Sequence, residues 1–200
     1  MLQRLRKSET VPGRIAMCSK NFATAMPSLS ILYESGPCLV VFKPAGVLTQ
    51  APPGIDSLEL RVKEFLKARD AVVDEVYLGV PHRLDRPVSG PVVVGRTLRA
   101  TRKLSKQFER REVRKVYWAC VEGRVEPEDG RWEDSMRKVP GEPRAEIVPA
   151  DHPDGRAAVL NYTVRERLAW GTWLEIELET GRMHQIRVQA ASRGHAVLGD

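Results

Sequence analysis

Two stretches near the carboxyl end, residues 157–165 and 172–178, alternate apolar and polar side chains, the second through Leu174, Ile176 and Leu178. Successive side chains on a strand point to opposite faces, so alternation predicts strands with one buried face. Their short connection predicts antiparallel pairing, because a parallel return needs a long crossover. A third alternating run, 113–121, sets Lys115, Tyr117, Ala119 and Val121 on one face and Val116, Trp118 and Cys120 on the other. A sheet with one face toward a core is thus the frame into which the rest must fit.

Further strands are predicted at 39–42, stopped by Lys43, Pro44, Ala45 and Gly46, at 72–80, and at 92–94. Helical spacing appears where Leu58, Val62, Phe65 and Leu66 follow a capping Ser57. A second helix is expected over 98–111 with Leu104 and Phe108 inward, and a third from about Thr180 and Gly181 to a left-handed Gly194. Residues 122–155, rich in Pro, Gly and charge, read as loop and hairpin with a short strand at Ile147 and Val148. The 200 residues suffice for one cored domain, expected over 30–200, after a basic tail at 1–29.

That tail carries Arg4, Arg6, Lys7, Arg14 and Lys20 against Glu9, without the apolar run of a signal peptide, and no segment is apolar enough to span a membrane. Cys18, Cys38 and Cys120 are too few and too scattered for a disulfide framework or a zinc site, which points to a reducing, cytoplasmic location. His82, His152, His184 and His195 show no metal-ligand spacing, so no metal is expected. The net charge of +6 favours polyanionic partners without proving one. It is densest at 99–115, where eight basic residues face only Glu109 and Glu112, a composition suited to phosphate contacts or to an ordinary solvated face.

Between the segments at 72–80 and 92–94 lies HRLDRPVSG, residues 82–90, which sets Asp85 between Arg83 and Arg86 and beside turn-forming Pro87 and Gly90. Arginines within reach of a carboxylate favour its ionised form. The local residues alone favour a turn-capping acid in an ordinary ion pair. What shifts the reading is a set of motifs in order: KPAG at 43–46, HRLDRPVSG at 82–90, Lys115-Val116-Tyr117, and GRMHQIR at 181–187. Over about 39–200 the chain resembles the RluA-type pseudouridine synthases, which convert uridine in RNA to its carbon-linked isomer.

The resemblance implies an α+β fold: a mixed, mostly antiparallel central sheet, flanking helices and a cleft across the sheet. It implies Asp85 as the catalytic carboxylate, attacking sugar or base or steering a glycal route, Tyr117 against the target uracil, and Arg187 paired with Asp85. Arg83 corresponds to the family arginine that enters the RNA stack as the target nucleotide leaves it, at a cost of a few kcal/mol. Arg86, Arg99, Arg102, Lys103, Lys106, Lys115 and Arg182 are the remaining candidates for RNA contact. His82 and His184 are given orienting rather than catalytic roles, and Gly46, Gly90 and Gly181 are given turns. Neither cofactor nor metal is implied; the partner is ribosomal or transfer RNA, with oligomeric state open.

Val88 and Met183 stand where the family often has Thr, each removing a hydroxyl hydrogen bond worth about 1 kcal/mol. The family pattern also runs on past GHAVLGD, at 194–200, through a further strand, so completeness of the domain at Asp200 is open. Two rivals are a non-catalytic RNA-binding module that keeps the fold, and a glycosidase-like hydrolase pairing Asp85 with a second acid such as Glu179.

Overall fold

The computed structural model describes residues 29–71 and 73–199; the basic tail, apart from residue 29, and Cys18 lie outside them. The strands fall into two antiparallel sheets. The first orders β1 (Ile31–Ser35), β2 (Cys38–Lys43) and β3 (Gly90–Gly95) side by side. The second runs β4 (Val116–Glu122), β8 (Gly171–Leu178), β7 (Arg156–Leu168), β5 (Asp129–Lys138), β6 (Ala145–Val148).

Each sheet packs on a helix and has its own core. On the first, α1 (Leu58–Arg69) seats Leu58, Val62 and Leu66 against Leu39 and Val41 of β2 and Val92 and Val94 of β3. The cap is Ser57, whose hydroxyl accepts the Leu60 amide at 3.2 Å. In the second, Trp132, Leu160, Leu174 and Ile176 close over Ala190 of α3 (Gln185–Ala191). Tyr117 packs against both cores, at the seam between them. The remaining helix, α2 (Leu98–Glu109), is capped by Thr97 and leaves β3 with Ala100 buried and Leu104 and Phe108 half-buried.

The alternating pair at 157–165 and 172–178 becomes β7 and β8, paired from Leu160↔Leu178 to Leu168↔Gly171 with one register shift between Val164 and Glu166. Three expectations are corrected. The strand expected at 72–80, of which Val72 lies outside the described residues, does not form over 73–80; Val73 is 88% exposed and Tyr77 44%. One bridge survives, Gly79 to Gly95, with both amides bonded at 2.8 Å. Thr101 of α2 sits over it so closely that a Cβ on Gly95 would come within 2.8 Å of the Thr101 backbone nitrogen.

The second correction is β5, a ten-residue strand inside the stretch read as loop and hairpin. Its inward positions run Trp132, Asp134, Met136, so the buried stripe is interrupted by an acid. The acid is tolerated because Gln189 Nε2 at 2.6 Å and Arg193 Nη1 at 2.9 Å both donate to its carboxylate. Third, α3 begins at Gln185, not Thr180, because the intervening residues turn back to satisfy the buried Gln185 side chain. Its Oε1 accepts from the Thr180 hydroxyl at 2.8 Å and the Arg182 amide at 3.0 Å. Gly194, at φ +77°, is left-handed as expected, three residues beyond the helix.

The seating of Thr101 makes Gly95→Ala destabilising by about 1–3 kcal/mol, an overpacking cost that a lowered urea midpoint with unchanged slope would register. An unchanged midpoint would mean that Thr101 does not sit against that glycine.

Candidate active site

Residues 82–89 cross from the Gly79 bridge to β3 without regular structure, so their shape depends on side chains from elsewhere. Lys43 ends β2 on the same face as Leu39 and Val41 and is fully buried. Its ammonium donates to three carbonyl oxygens: Val47 at 2.7 Å, Pro44 at 3.0 Å and Arg86 at 3.2 Å. All three donors are thereby used. Burial pushes its pKa below the ordinary lysine value, opposed by the nearby Asp85 charge.

A second fastening comes from the buried Thr49, whose hydroxyl donates to the Leu84 carbonyl at 2.7 Å and accepts the Leu84 amide at 3.1 Å. Gly46, left-handed at φ +82°, donates its amide to the Arg86 carbonyl at 2.8 Å and accepts Arg86 Nε at 3.0 Å. The Val88 amide closes the turn on the Asp85 carbonyl at 3.1 Å. Asp85 is therefore flanked on both sides by backbone that is held in place.

The Asp85 side chain, 25% exposed, lines a cavity of about 840 Å³ at the seam between the sheets, within the usual range for ligand pockets. Tyr117 enters it from β4 and the half-buried Arg187 from α3. Burial, with the Asp85 charge adding to it, raises the Tyr117 pKa, so the phenol is neutral at physiological pH. His184, left-handed at φ +52° where α3 begins, brings Nε2 to 3.7 Å from Asp85 Oδ2. His82 is different: Nε2 accepts the Val93 amide at 3.0 Å and the ring stacks on Phe108 at 4.5 Å. Burial, helped by the Lys115 charge, pushes its pKa down to about 4, leaving it neutral.

The cavity thus gathers Asp85, Tyr117 and Arg187 with Arg83, Lys115 and Arg182. Arg86 is absent from its lining and is turned to Gly46 instead. Arg99, Arg102, Lys103 and Lys106 line a separate shallow hollow on α2, whose far end reaches the cavity through Phe108. Val88 packs on the first core and Met183 lines the cavity. Gly181 has no left-handed φ and room for a Cβ, contrary to the turn role expected of it. Among the described residues no cluster of His, Cys, Asp or Glu could hold a metal, and no helix is long and apolar enough to cross a membrane.

Thr49 was not singled out by sequence, Lys43 was read only as the stop of a strand and the start of KPAG, and Phe108 only as an inward helix position. For Lys43 a signal existed, since strand parity puts residue 43 inward with 39 and 41.

Residues 37–192 match the family model described as RNA pseudouridylate synthase. The chain is 37% identical over 198 residues to a ribosomal large subunit pseudouridine synthase D of Xanthomonas campestris pv. campestris, covering 98% of this chain and 58% of that protein. It is 33% identical over 180 residues to an uncharacterized RNA pseudouridine synthase of Synechocystis, covering 86% and 53%. The chain spans about half the length of the curated relatives it matches. Among solved structures, human RNA Pseudouridylate Synthase Domain Containing 4 superposes with a TM-score of 0.73 at 22% identity, over 86% of this chain and 67% of that one.

The neutral His82 gives a pH dependence whose sign follows from linkage. Its folded pKa lies below the unfolded value, so its contribution is fully present above about pH 6.5 and is lost as pH falls toward 4. Unfolding free energy should lose on the order of 3 kcal/mol from this group between pH 7 and pH 4. His82→Gln, which keeps an acceptor but does not titrate, should show a correspondingly shallower loss in urea titrations. Equal losses in both proteins would contradict the assignment.

Proposed function

Because the chain belongs to the RNA pseudouridylate synthase family, we propose that it isomerises specific uridines of structured RNA to pseudouridine, with Asp85 as the catalytic carboxylate. The observation that carries this reading is the shared cavity of Asp85, Tyr117 and Arg187. The reaction breaks the bond from C1′ to N1, turns the uracil, joins C1′ to C5, and releases the C5 proton while N1 gains one. Asp85 serves any of three routes: attack at C1′, attack on the ring, or a glycal route.

All three need a positioned anion with little freedom to reorganise, since preorganised electrostatics and orientation carry most of such a barrier. The loop held by Lys43 and Thr49 meets that need. Tyr117 offers its ring to the uracil face and, being neutral, a hydroxyl donor rather than a standing base. Arg187 neutralises charge at the carboxylate. Arg83, exposed at the cavity edge, takes the space that the everted nucleotide leaves.

The RNA approaches over α2, where Arg99, Arg102, Lys103 and Lys106 supply phosphate contacts. The name shared by several relatives favours large-subunit ribosomal RNA as the substrate over transfer RNA. Such a substrate puts the reaction in the cytoplasm.

The test is tritium release from large-subunit ribosomal RNA labelled at uridine C5. Wild type should release tritium, and Asp85→Asn should bind the RNA but turn over at least ~10⁴-fold more slowly, about 5 kcal/mol of barrier. Near-normal turnover in that variant would refute the role of Asp85. RNA binding without release by wild type would favour the non-catalytic module, and free uracil would favour hydrolysis.

A further inference from the structure

The lip of the cavity holds a knot of positive charge that the isomerisation chemistry does not use. Lys115, just before β4, directs Nζ to the Thr180 carbonyl at 3.2 Å. It lies against bare backbone: a Cβ built on Gly181 would stand 3.5 Å from that nitrogen. The adjoining Arg182 is held by one nitrogen, Nε donating to the Ala157 carbonyl at 2.9 Å, and its two terminal nitrogens make no hydrogen bond among the described residues. Arg111 completes the group from the turn after α2, where its amide bonds to the Phe108 carbonyl at 3.1 Å.

The turn after α2 fixes where Arg111 stands, and the charges of the group act on one another. Arg111 takes φ +59° as the left-handed residue that ends α2, a turn closed by the Glu112 amide on the Gln107 carbonyl at 2.9 Å. Like charges also crowd one another: the Lys115 pKa is lowered by burial first, then by Arg111 and Arg182. No carboxylate forms an ion pair with any of the three among the described residues. Of the acids on the same lining, Asp85 is approached by His184 at 3.7 Å, Glu179 is engaged by Asn161 at 2.9 Å and Arg131 at 3.5 Å and feels the Arg111 charge only as a lesser influence, and Glu109 offers one charge against three. Three cations from two segments, the α2–β4 connection and the turn before α3, stand at the mouth of one cavity with no carboxylate at ion-pair distance, an arrangement suited to an anion with several acceptor oxygens.

We propose that Arg111, Lys115 and Arg182 form a single phosphate subsite that grips the RNA phosphodiester beside the everted uridine and so holds its ribose over Asp85. The identity of the phosphate's owner rests on the isomerase reading; the anion site itself does not. It differs from the α2 hollow in kind. Contacts along α2 are spread over a helix face and add independently, whereas these three would share one phosphate.

Two measurements test this. Inorganic phosphate, titrated at constant ionic strength against chloride, should raise the melting temperature of wild type and of a Lys63→Gln control. The rise should be at least halved in Arg111→Gln and in Lys115→Gln. Absence of a rise in wild type, or equal rises in all proteins, would overturn the subsite. With a labelled oligouridylate, each variant should weaken binding roughly tenfold and lower the salt slope by about 0.7, as for one single-strand phosphate contact. The double variant should bind little worse than the weaker single variant, because both residues hold the same group. Losses that multiply, or unaltered oligouridylate binding despite a lost phosphate response, would equally overturn the proposal. Tritium release by wild type reports on the isomerase reading separately, since its failure would leave the phosphate response standing.

Discussion

A fully buried ammonium beneath an irregular loop is the constraint on which the site rests. Taking the charge of Lys43 out of water costs several kcal/mol unless every donor finds an acceptor. Here the acceptors are the carbonyls of Pro44, Val47 and Arg86, so the charge is satisfied only when residues 43–47 and residues 82–88 are held together. An apolar residue of similar length would fill the space but strip the ammonium from the Pro44 and Val47 carbonyls, and leave the Arg86 carbonyl with the Gly46 amide alone. Thr49 and Gly46 add neutral bonds to the same junction. The outcome is an irregular turn fastened at Leu84 and Arg86 by side chains and backbone of residues 43–49.

From that turn the rest of the site follows by topology. The first sheet supplies Asp85 from below, β4 supplies Tyr117 from the seam, and α3 brings Arg187 and His184 from the second sheet. The helix can do so because its opposite face is fixed. Gln185 Nε2 donates to the Val159 carbonyl at 3.1 Å, and Gln189 Nε2 donates to the Ala158 carbonyl at 3.1 Å and to Asp134. Buried amides anchor one side of α3 so that its charged side stands at the cavity. The cations at the lip, with no carboxylate at ion-pair distance, are the counterpart of this order, a positive edge beside the cavity that suits an anionic substrate.

Much of this was legible in the chain, and what was not has a common cause. The strands β7 and β8, the helix behind Ser57 and the sequence HRLDRPVSG carry local signals: alternation, a cap, a motif. The failures arose where a distant partner overrode the local pattern. Asp134 broke the alternation of β5 because its partners, Gln189 and Arg193, lie more than fifty residues away. The strand expected over 72–80 shrank to one bridge beneath Thr101 of α2. The start of α3 was misjudged because a buried Gln185 drew the preceding turn onto itself. Lys43 was half legible: it reads as the stop of the 39–42 strand although strand parity would have turned it inward, and only the contact with Arg86 gives the reason.

The central claim is that Lys43, without touching substrate, holds Asp85 in working position. Its most direct measurement is single-turnover isomerisation by Lys43→Met at saturating RNA, alongside RNA affinity and the urea midpoint. The rate should fall on the order of 10²-fold, the cost of a small misplacement of the reacting group, with RNA affinity near that of wild type. A folded variant that isomerises at the wild-type rate would contradict that claim.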